Sequence, residues 1–113
     1  MPRFRARLAL LSLLALAACA RAPGDCLPLQ GWEQGRDGRL AIPGCRAEAY
    51  AEAHRLGASL YALRYEQAAL ERELPTLAAE QQGPLRRRQR QLQVDIDAIE
   101  SLARINGWPL QPR

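Results

Sequence analysis

The sequence has little of what metal binding and acid–base catalysis require. His54 is its sole histidine, and its cysteines have no Cys-x-x-Cys spacing. Neither a histidine-containing metal cluster nor a catalytic triad is evident in such a chain. Asp95, Asp97 and Glu100 could be acid–base groups or calcium ligands, but they lie in a regular helical pattern without loop geometry. We predict a protein that is not an enzyme and needs no cofactor.

Long apolar runs are also missing. Residues 8–16, which read LALLSLLAL, follow Arg3, Arg5 and Arg7. An apolar stretch of this length falls far short of the roughly 20 residues that span a bilayer as a helix. A charged start, a short apolar stretch and then small residues are typical of an export signal. We therefore assign residues 1–18 to a signal peptide and set them aside in considering the fold.

The small residues lead to a cysteine. The tetrad Leu16-Ala17-Ala18-Cys19 resembles the lipobox of bacterial lipoproteins, in which the signal peptidase cuts before the cysteine and its sulfur carries a diacylglyceryl group. The alternative is an ordinary secretory signal cut near Ala18. Two or three acyl chains anchor a protein durably. Because Ala20 is not the aspartate that commonly retains lipoproteins at the inner membrane, the resemblance implies an outer-membrane lipoprotein facing the periplasm.

Lysine is absent, and all 16 basic side chains are arginines. Three of them lie in the first seven residues, which leaves 13 arginines against 12 acidic residues in the mature chain. The formal net charge of +4 therefore belongs mostly to the export signal. A mature chain so close to neutral lacks the basic footprint of nucleic-acid-binding domains. We expect no nucleic-acid partner.

Two cysteines remain once Cys19 is assigned to the lipid. Cys26 and Cys45 form an even pair in an oxidising compartment, which predicts a disulfide. Residues 19–25 are then a tether, and residues 26–46 are a loop-rich segment closed by that bond. Closing a loop of about 20 residues adds roughly 3 kcal/mol of stability to a small domain. A redox or metal pair is the alternative.

From residue 47 the chain is rich in Ala, Glu, Arg, Leu and Gln, which are good helix formers. Apolar side chains recur there at alternating spacings of four and three, interrupted only by Gln67. They are Leu56, Leu60, Leu63, Leu70, Leu74 and Leu77. The pattern predicts one long helix over residues 47–82, kinked near Pro75 and ended by Gly83 and Pro84.

A second stripe predicts a helix over residues 85–106, followed by a tail over residues 107–113. Its members are Leu92, Ile96, Ile99, Leu102 and Ala103. Two helices joined by a short turn run antiparallel, because each stripe has only the other to pack against. We therefore predict an all-α fold, a coiled-coil-like antiparallel helical hairpin preceded by a disulfide-closed loop.

The predicted arms are unequal, about 36 residues against about 21, with the surplus at the start of the first arm. Only the loop and the tail could cover that surplus. We expect a packing or partner face there, formed by Trp32, Tyr50, Leu56, Leu60, Tyr61 and Trp108. An uncovered seam would instead favour a docked helix or a homodimer. Ala49, Ala53 and Gly57 could admit a close helix, although an alanine-rich composition explains their spacing more simply.

The most distinctive charged segment is residues 86–90, which read RRRQR. At a predicted helix N-terminus these charges oppose the macrodipole. Ion pairs with Glu71, Glu73 and Glu80 of the facing arm would offset that cost. The alternative is an anion-binding tip for phosphates of lipid or lipopolysaccharide, or for peptidoglycan carboxylates. Its candidate residues are Arg86, Arg87, Arg88 and Arg90.

Residues 32–38 read WEQGRDG. This segment resembles the W-x-x-G-x-D-G signature of small envelope lipoproteins in the family called domain of unknown function 2799. The resemblance spans residues 31–77 and includes Cys45, Tyr50, Gly57, Tyr61 and Leu63, but the glycine- and cysteine-rich middle repeat of longer members is missing. The family implies a lipoprotein and supplies no activity.

These observations favour a membrane-anchored periplasmic lipoprotein that acts as a structural or interaction module in the cell envelope. Its partner would be an envelope protein or polymer. Two alternatives stay open. One is a module that binds an anionic envelope polymer or lipid through the arginine-rich tip, and the other is a small inhibitor or exclusion lipoprotein.

Overall fold

The computed structural model describes residues 26–112 and is mostly helical over that range. It contains helices α1 (Pro28–Arg36), α2 (Glu48–Glu73) and α3 (Ala79–Asn106), with a short 3₁₀ turn at Leu74–Thr76. None of these described residues forms a strand. Helices α2 and α3 are the arms of an antiparallel hairpin, so the predicted all-α fold is confirmed. The predicted signal peptide, the tether and Cys19 lie outside the described residues.

The chain reverses at residues 74–78, ahead of the predicted turn. Helix α2 ends at Glu73, the 3₁₀ turn contains Pro75, and Leu77 is extended. The prediction of one helix over residues 47–82 with a kink is therefore wrong. Proline has no N–H to donate and its ring crowds the preceding turn, so Pro75 ends the helix here. Gln82 fixes the reversal, because its Nε2 donates to Leu74 O (3.2 Å) and Leu77 O (3.1 Å).

Gly83 and Pro84 lie inside α3 rather than between the helices. Pro84 is the sixth residue of α3, past the four N–H groups that have no intrahelical acceptor, so it removes one hydrogen bond from the helix without ending it. Helix α3 therefore begins at Ala79, six residues before the predicted start. The arms are 26 and 28 residues long, so the predicted surplus in the first arm is wrong. Their ends meet, since Ala49 and Asn106 line the same groove.

Helix α1 lies within the disulfide-closed segment and packs against the first turns of α2. The Cys26–Cys45 disulfide, with Cα atoms 5.3 Å apart, joins the start of α1 to the residues before α2, as predicted. A Cβ atom on Gly57 would lie only 2.5 Å from Trp32 O. Ala53 is also buried, whereas Ala49 is exposed. A second helix therefore does approach closely at Ala53 and Gly57. The simpler explanation of their spacing, an alanine-rich composition, does not account for this contact.

The main core lies where all three helices and the tail meet. Its buried members are Trp32, Ala53, Leu60, Ile96 and Ala103, with Leu56, Leu63, Ile99, Trp108 and Leu110 packed around them. Toward the reversal the hairpin has only two helices, and its buried side chains there are Leu70, Leu74 and Leu92. We call the end that contains the disulfide and Asn106 the base, and the end that contains the reversal the distal end.

Candidate functional site

The C-terminal residues fold back along the base. Gly107 adopts a left-handed conformation (φ 71°) after α3, which turns the chain sharply. Trp108 then stacks on Trp32, with ring centroids 5.5 Å apart and planes inclined by 23°. Two aromatic members of the predicted packing or partner face, Trp32 from α1 and Trp108 from the tail, are therefore in contact.

The backbone of this tail is held by side chains of α1 and α2. Trp32 Nε1 donates to Pro109 O (2.7 Å), and Arg36 Nη1 donates to the same carbonyl (3.0 Å) and to Gln111 O (3.1 Å). Arg64 Nη1 donates to Leu110 O (3.2 Å). Trp32 and Arg36 are four residues apart, so they share one face of α1. We call these three donors and the backbone of residues 108–111 the tail clamp.

Arg36 is a buried charge, with 7% of its surface exposed. Its Nε donates to Asp37 Oδ1 (3.0 Å) and its Nη2 to Asp37 Oδ2 (3.3 Å). A buried charge is tolerated when it is paired and its remaining donors are satisfied. Both conditions hold here, because the tail carbonyls accept from Nη1. Arg36 is therefore committed to the fold rather than free to bind a ligand.

The four fixed positions of the W-x-x-G-x-D-G pattern have structural roles. Trp32 belongs to the tail clamp, and Asp37 supports the clamp by accepting hydrogen bonds from Arg36. Gly35 and Gly38 permit close contacts. A Cβ atom on Gly35 would overlap His54 O, and one on Gly38 (φ 72°) would lie 2.6 Å from the Tyr61 ring. The motif therefore encodes the docking of α1.

Tyr50 and His54 hold the loop between α1 and α2. The Ile42 N–H donates to Tyr50 Oη (2.8 Å). His54 Nε2 lies 2.8 Å from Arg39 O, and because a carbonyl can only accept, this nitrogen carries the proton. Both side chains are used in packing, Tyr50 being fully buried.

The predicted packing or partner face is mostly core. Trp32, Tyr50 and Leu60 are fully buried, and Leu56 and Trp108 are half-buried. Only Tyr61 is substantially exposed, at 45%. Sequence reasoning missed Arg36 and Arg64. The four-residue spacing from Trp32 could have indicated that Arg36 shares its helix face. No sequence pattern indicates that the tail carbonyls are the acceptors.

The arginine-rich segment does not form the tip of the hairpin, which was the predicted position. Residues 86–90 lie beyond the first turn of α3, past the reversal at residues 74–78. Arg88 pairs with the facing arm, but through Glu66: Nε lies 2.8 Å from Oε1 and Nη2 2.8 Å from Oε2. Arg86 Nη2 donates to Gln82 Oε1 (2.8 Å). Among residues 26–112, the predicted partners Glu71, Glu73 and Glu80 form no ion pair.

The ion pair shifts the pKa values of both Glu66 and Arg88. The hydrogen bonds from Arg88 hold the pKa of the Glu66 carboxyl below its ordinary value of 4.5, and the positive charge acts in the same direction. The Arg88 guanidinium has its own pKa raised by the same contacts. Both groups are exposed, so this pair is a salt-sensitive surface contact between the arms.

Two arginines of the segment remain without a partner among the described residues. Arg87 and Arg90 are exposed and three residues apart, which places them on neighbouring positions of one helix face. That face differs from the one that carries the buried Leu92 and Ile96. We call Arg87 and Arg90 the outer arginines.

An open apolar groove of about 400 Å³ lies at the base. Its walls come from the starts of α1 and α2 and from the end of α3 and the tail. The apolar lining comprises Pro28, Ala49, Ala53, Leu56, Leu102 and Trp108, with Glu52 and Asn106 at its edges. We call it the basal groove.

Neither a metal centre nor a membrane span occurs in the part of the chain that the structure describes. Across residues 26–112, no three or more His, Cys, Asp or Glu side chains are grouped to hold a metal ion. No helix in that range is both long and apolar enough to cross a bilayer.

The chain matches no family model, no curated protein and no solved structure. The resemblance to domain of unknown function 2799 therefore stays a prediction, carried by the WEQGRDG segment and the residues that follow it.

Proposed function

We propose that the protein is a lipoprotein of the outer membrane, anchored through Cys19 and facing the periplasm, and that its helical hairpin is a structural or interaction module. The tetrad that ends at Cys19 supports the lipid anchor, and the tail clamp is the observation that carries the structural role. Trp32, Arg36 and Arg64 all bond to the backbone of the chain itself. The base is therefore built as a rigid support, and the exposed length of the hairpin is left for contact with an envelope protein or polymer.

The dimensions of the hairpin support this role. The described chain begins at Cys26, beside the base, so a lipid on Cys19 would hold the base near the membrane. Arg87 lies 19 residues before Asn106 on α3. That distance is about 28 Å along a helix, so the outer arginines stand well away from the base. A partner would meet them before it met the clamp.

Site-specific photocrosslinking in cells tests the proposal. A benzoylphenylalanine at position 87 is expected to capture a discrete envelope component. The same probe at Arg55, which is exposed near the base on α2, is the matched control and should capture less. Intact-mass measurement of the purified protein should show a diacylglyceryl addition at Cys19 that the Cys19→Ser variant lacks. An unmodified Cys19, or equal capture from both positions, contradicts the proposal.

The outer arginines favour a second candidate function, a module that binds an anionic envelope polymer or lipid. They are three residues apart on α3 and neither forms an ion pair with an acidic side chain of residues 26–112, and guanidinium groups bind phosphate and carboxylate oxygens well. Replacing both by glutamine should weaken co-sedimentation with lipopolysaccharide or peptidoglycan. Added salt should weaken the co-sedimentation of the unmodified protein in the same way. The double variant Arg55→Gln, Arg72→Gln removes two exposed arginines elsewhere and is the control. Equal binding by both variants would exclude this function.

A further inference from the structure

The basal groove has the chemistry of a hydrocarbon site. Six of its eight lining residues are apolar. Asn106 Nδ2 donates to Leu102 O (2.8 Å), so one N–H of its amide is already used within α3. Besides the Glu52 carboxylate, the lining side chains offer a polar ligand only the remaining amide atoms of Asn106 and the Trp108 indole N–H. A peptide or sugar would find few partners here, whereas an alkyl chain needs none.

Exposed apolar side chains surround the groove. Leu27, next to the groove residue Pro28, is 55% exposed, and Leu102 in the wall is 44% exposed. Ile105, next to Asn106, is 81% exposed. The apolar surface therefore continues from the groove onto its rim at the end of the hairpin where the described chain begins.

Few residues separate Cys19 from the basal groove. Cys19 is seven residues before Cys26 and nine before Pro28, which lines the groove. Seven residues span at most about 24 Å when fully extended. A lipid on Cys19 is therefore confined to the neighbourhood of the basal groove and presents alkyl chains to it at high effective concentration.

We propose that the basal groove holds one acyl chain of the lipid carried by Cys19. The proposal rests on the lipidation stated under the proposed function. The occupant is the chain's own lipid rather than a membrane phospholipid, because the short tether keeps that lipid beside the groove. Seating one chain there lets the base lie flat on the membrane, with Leu27 and Ile105 toward the bilayer.

Photocrosslinking on the lipidated protein in phospholipid vesicles tests the occupant. A benzoylphenylalanine replaces Ala49, which lines the groove and is exposed. Trypsin cleavage after Arg21 then leaves a short lipopeptide that starts at Cys19. We expect position 49 to be joined to this lipopeptide, at least five-fold more often than position 98, an exposed alanine on α3. Mixing isotope-labelled and unlabelled protein identifies joining within one chain.

The outcomes separate the two proposals. A product that carries a phospholipid, joining between different chains, or equal yields at positions 49 and 98 would overturn the acyl-chain site while leaving the lipoprotein assignment intact. An intact mass without lipid on Cys19 would overturn both.

Tryptophan quenching gives an independent readout. Trp32 is fully buried, so quenching by acrylamide reports mainly on Trp108 in the groove wall. The quenching constant is expected to be about two-fold lower for the lipidated protein than for Cys19→Ser in the same detergent. Equal constants would contradict occupancy of the groove.

Discussion

Gly35 and Gly57 lie against each other where α1 packs on α2, and neither has room for a side chain. A Cβ atom on Gly57 would be 3.0 Å from the carbonyl carbon of Gly35 and 2.6 Å from Arg36 N. The obstructing atoms are backbone, so no side chain can move aside to relieve the contact. This close packing of α1 on α2 is what brings Trp32 and Arg36 to the tail.

Gly57→Ala should therefore destabilise the protein. Alanine is favoured over glycine in a helix by about 1 kcal/mol, but overpacking a tight contact costs typically 1–3 kcal/mol. Because the clash is with backbone, we expect a net loss of about 1 kcal/mol or more in the free energy of unfolding, measured with urea. Ser59→Ala, at an exposed position of the same helix, should stay within about 0.5 kcal/mol of the unmodified protein.

Trp108→Ala should open the tail clamp. Truncating a fully buried tryptophan costs about 3–5 kcal/mol, and Trp108 is half-buried, so roughly 2 kcal/mol of stability should be lost. Trp32 would lose its stacking partner and shift its fluorescence to longer wavelength as water reaches it. Ile105→Ala, at a side chain 81% exposed, should change neither quantity. An emission maximum of Trp108→Ala that stayed at the short wavelength of a buried indole would mean that Trp108 does not shield Trp32 in solution.

Loss of the Cys26–Cys45 disulfide should release the start of α1. The two cysteines are 19 residues apart in sequence, and the chain-entropy estimate for such a loop is about 3 kcal/mol. We expect Cys26→Ser, Cys45→Ser to lower the free energy of unfolding by about that amount, and a reductant to have no further effect on the variant. In Cys19→Ser, which keeps the disulfide, the reductant should still lower the stability.

The sequence predicted the helical hairpin and its stripes because both depend on local periodicity. Leu60 and Ile96 occupy the predicted seam and are buried. The position of the turn could not be predicted in the same way. Pro75 and the Gly83–Pro84 pair are both helix breakers. Which of them ends the helix depends on tertiary contacts, which the local sequence does not reveal. Gln82 caps the carbonyls of Leu74 and Leu77 only after the chain has reversed.

The candidate site was predictable only in part. Apolar content and the tail position pointed to Trp32 and Trp108 as neighbours, and they stack. The acceptors in the clamp are backbone carbonyls, which every residue carries, so no side-chain pattern marks them. The partner of Arg88 was misassigned because the predicted turn was misplaced, which moved the expected register toward Glu71, Glu73 and Glu80 and away from Glu66.

The Glu66–Arg88 pair should give the hairpin a contribution to stability that depends on pH and salt. The pKa of Glu66 is lowered in the folded protein, so the contribution is present above the unfolded pKa and is lost as pH falls through the folded value, below 4.5. Glu66→Gln should therefore melt below the unmodified protein at pH 7, and the two should melt together at about pH 2. About 1 M NaCl should also reduce the difference, because both groups are exposed to screening ions. Glu71→Gln removes an exposed carboxylate without an ion-pair partner among the described residues and should show no such pH dependence. A Glu66→Gln difference that persisted at low pH would mean that the side chain stabilises the hairpin by packing rather than by charge.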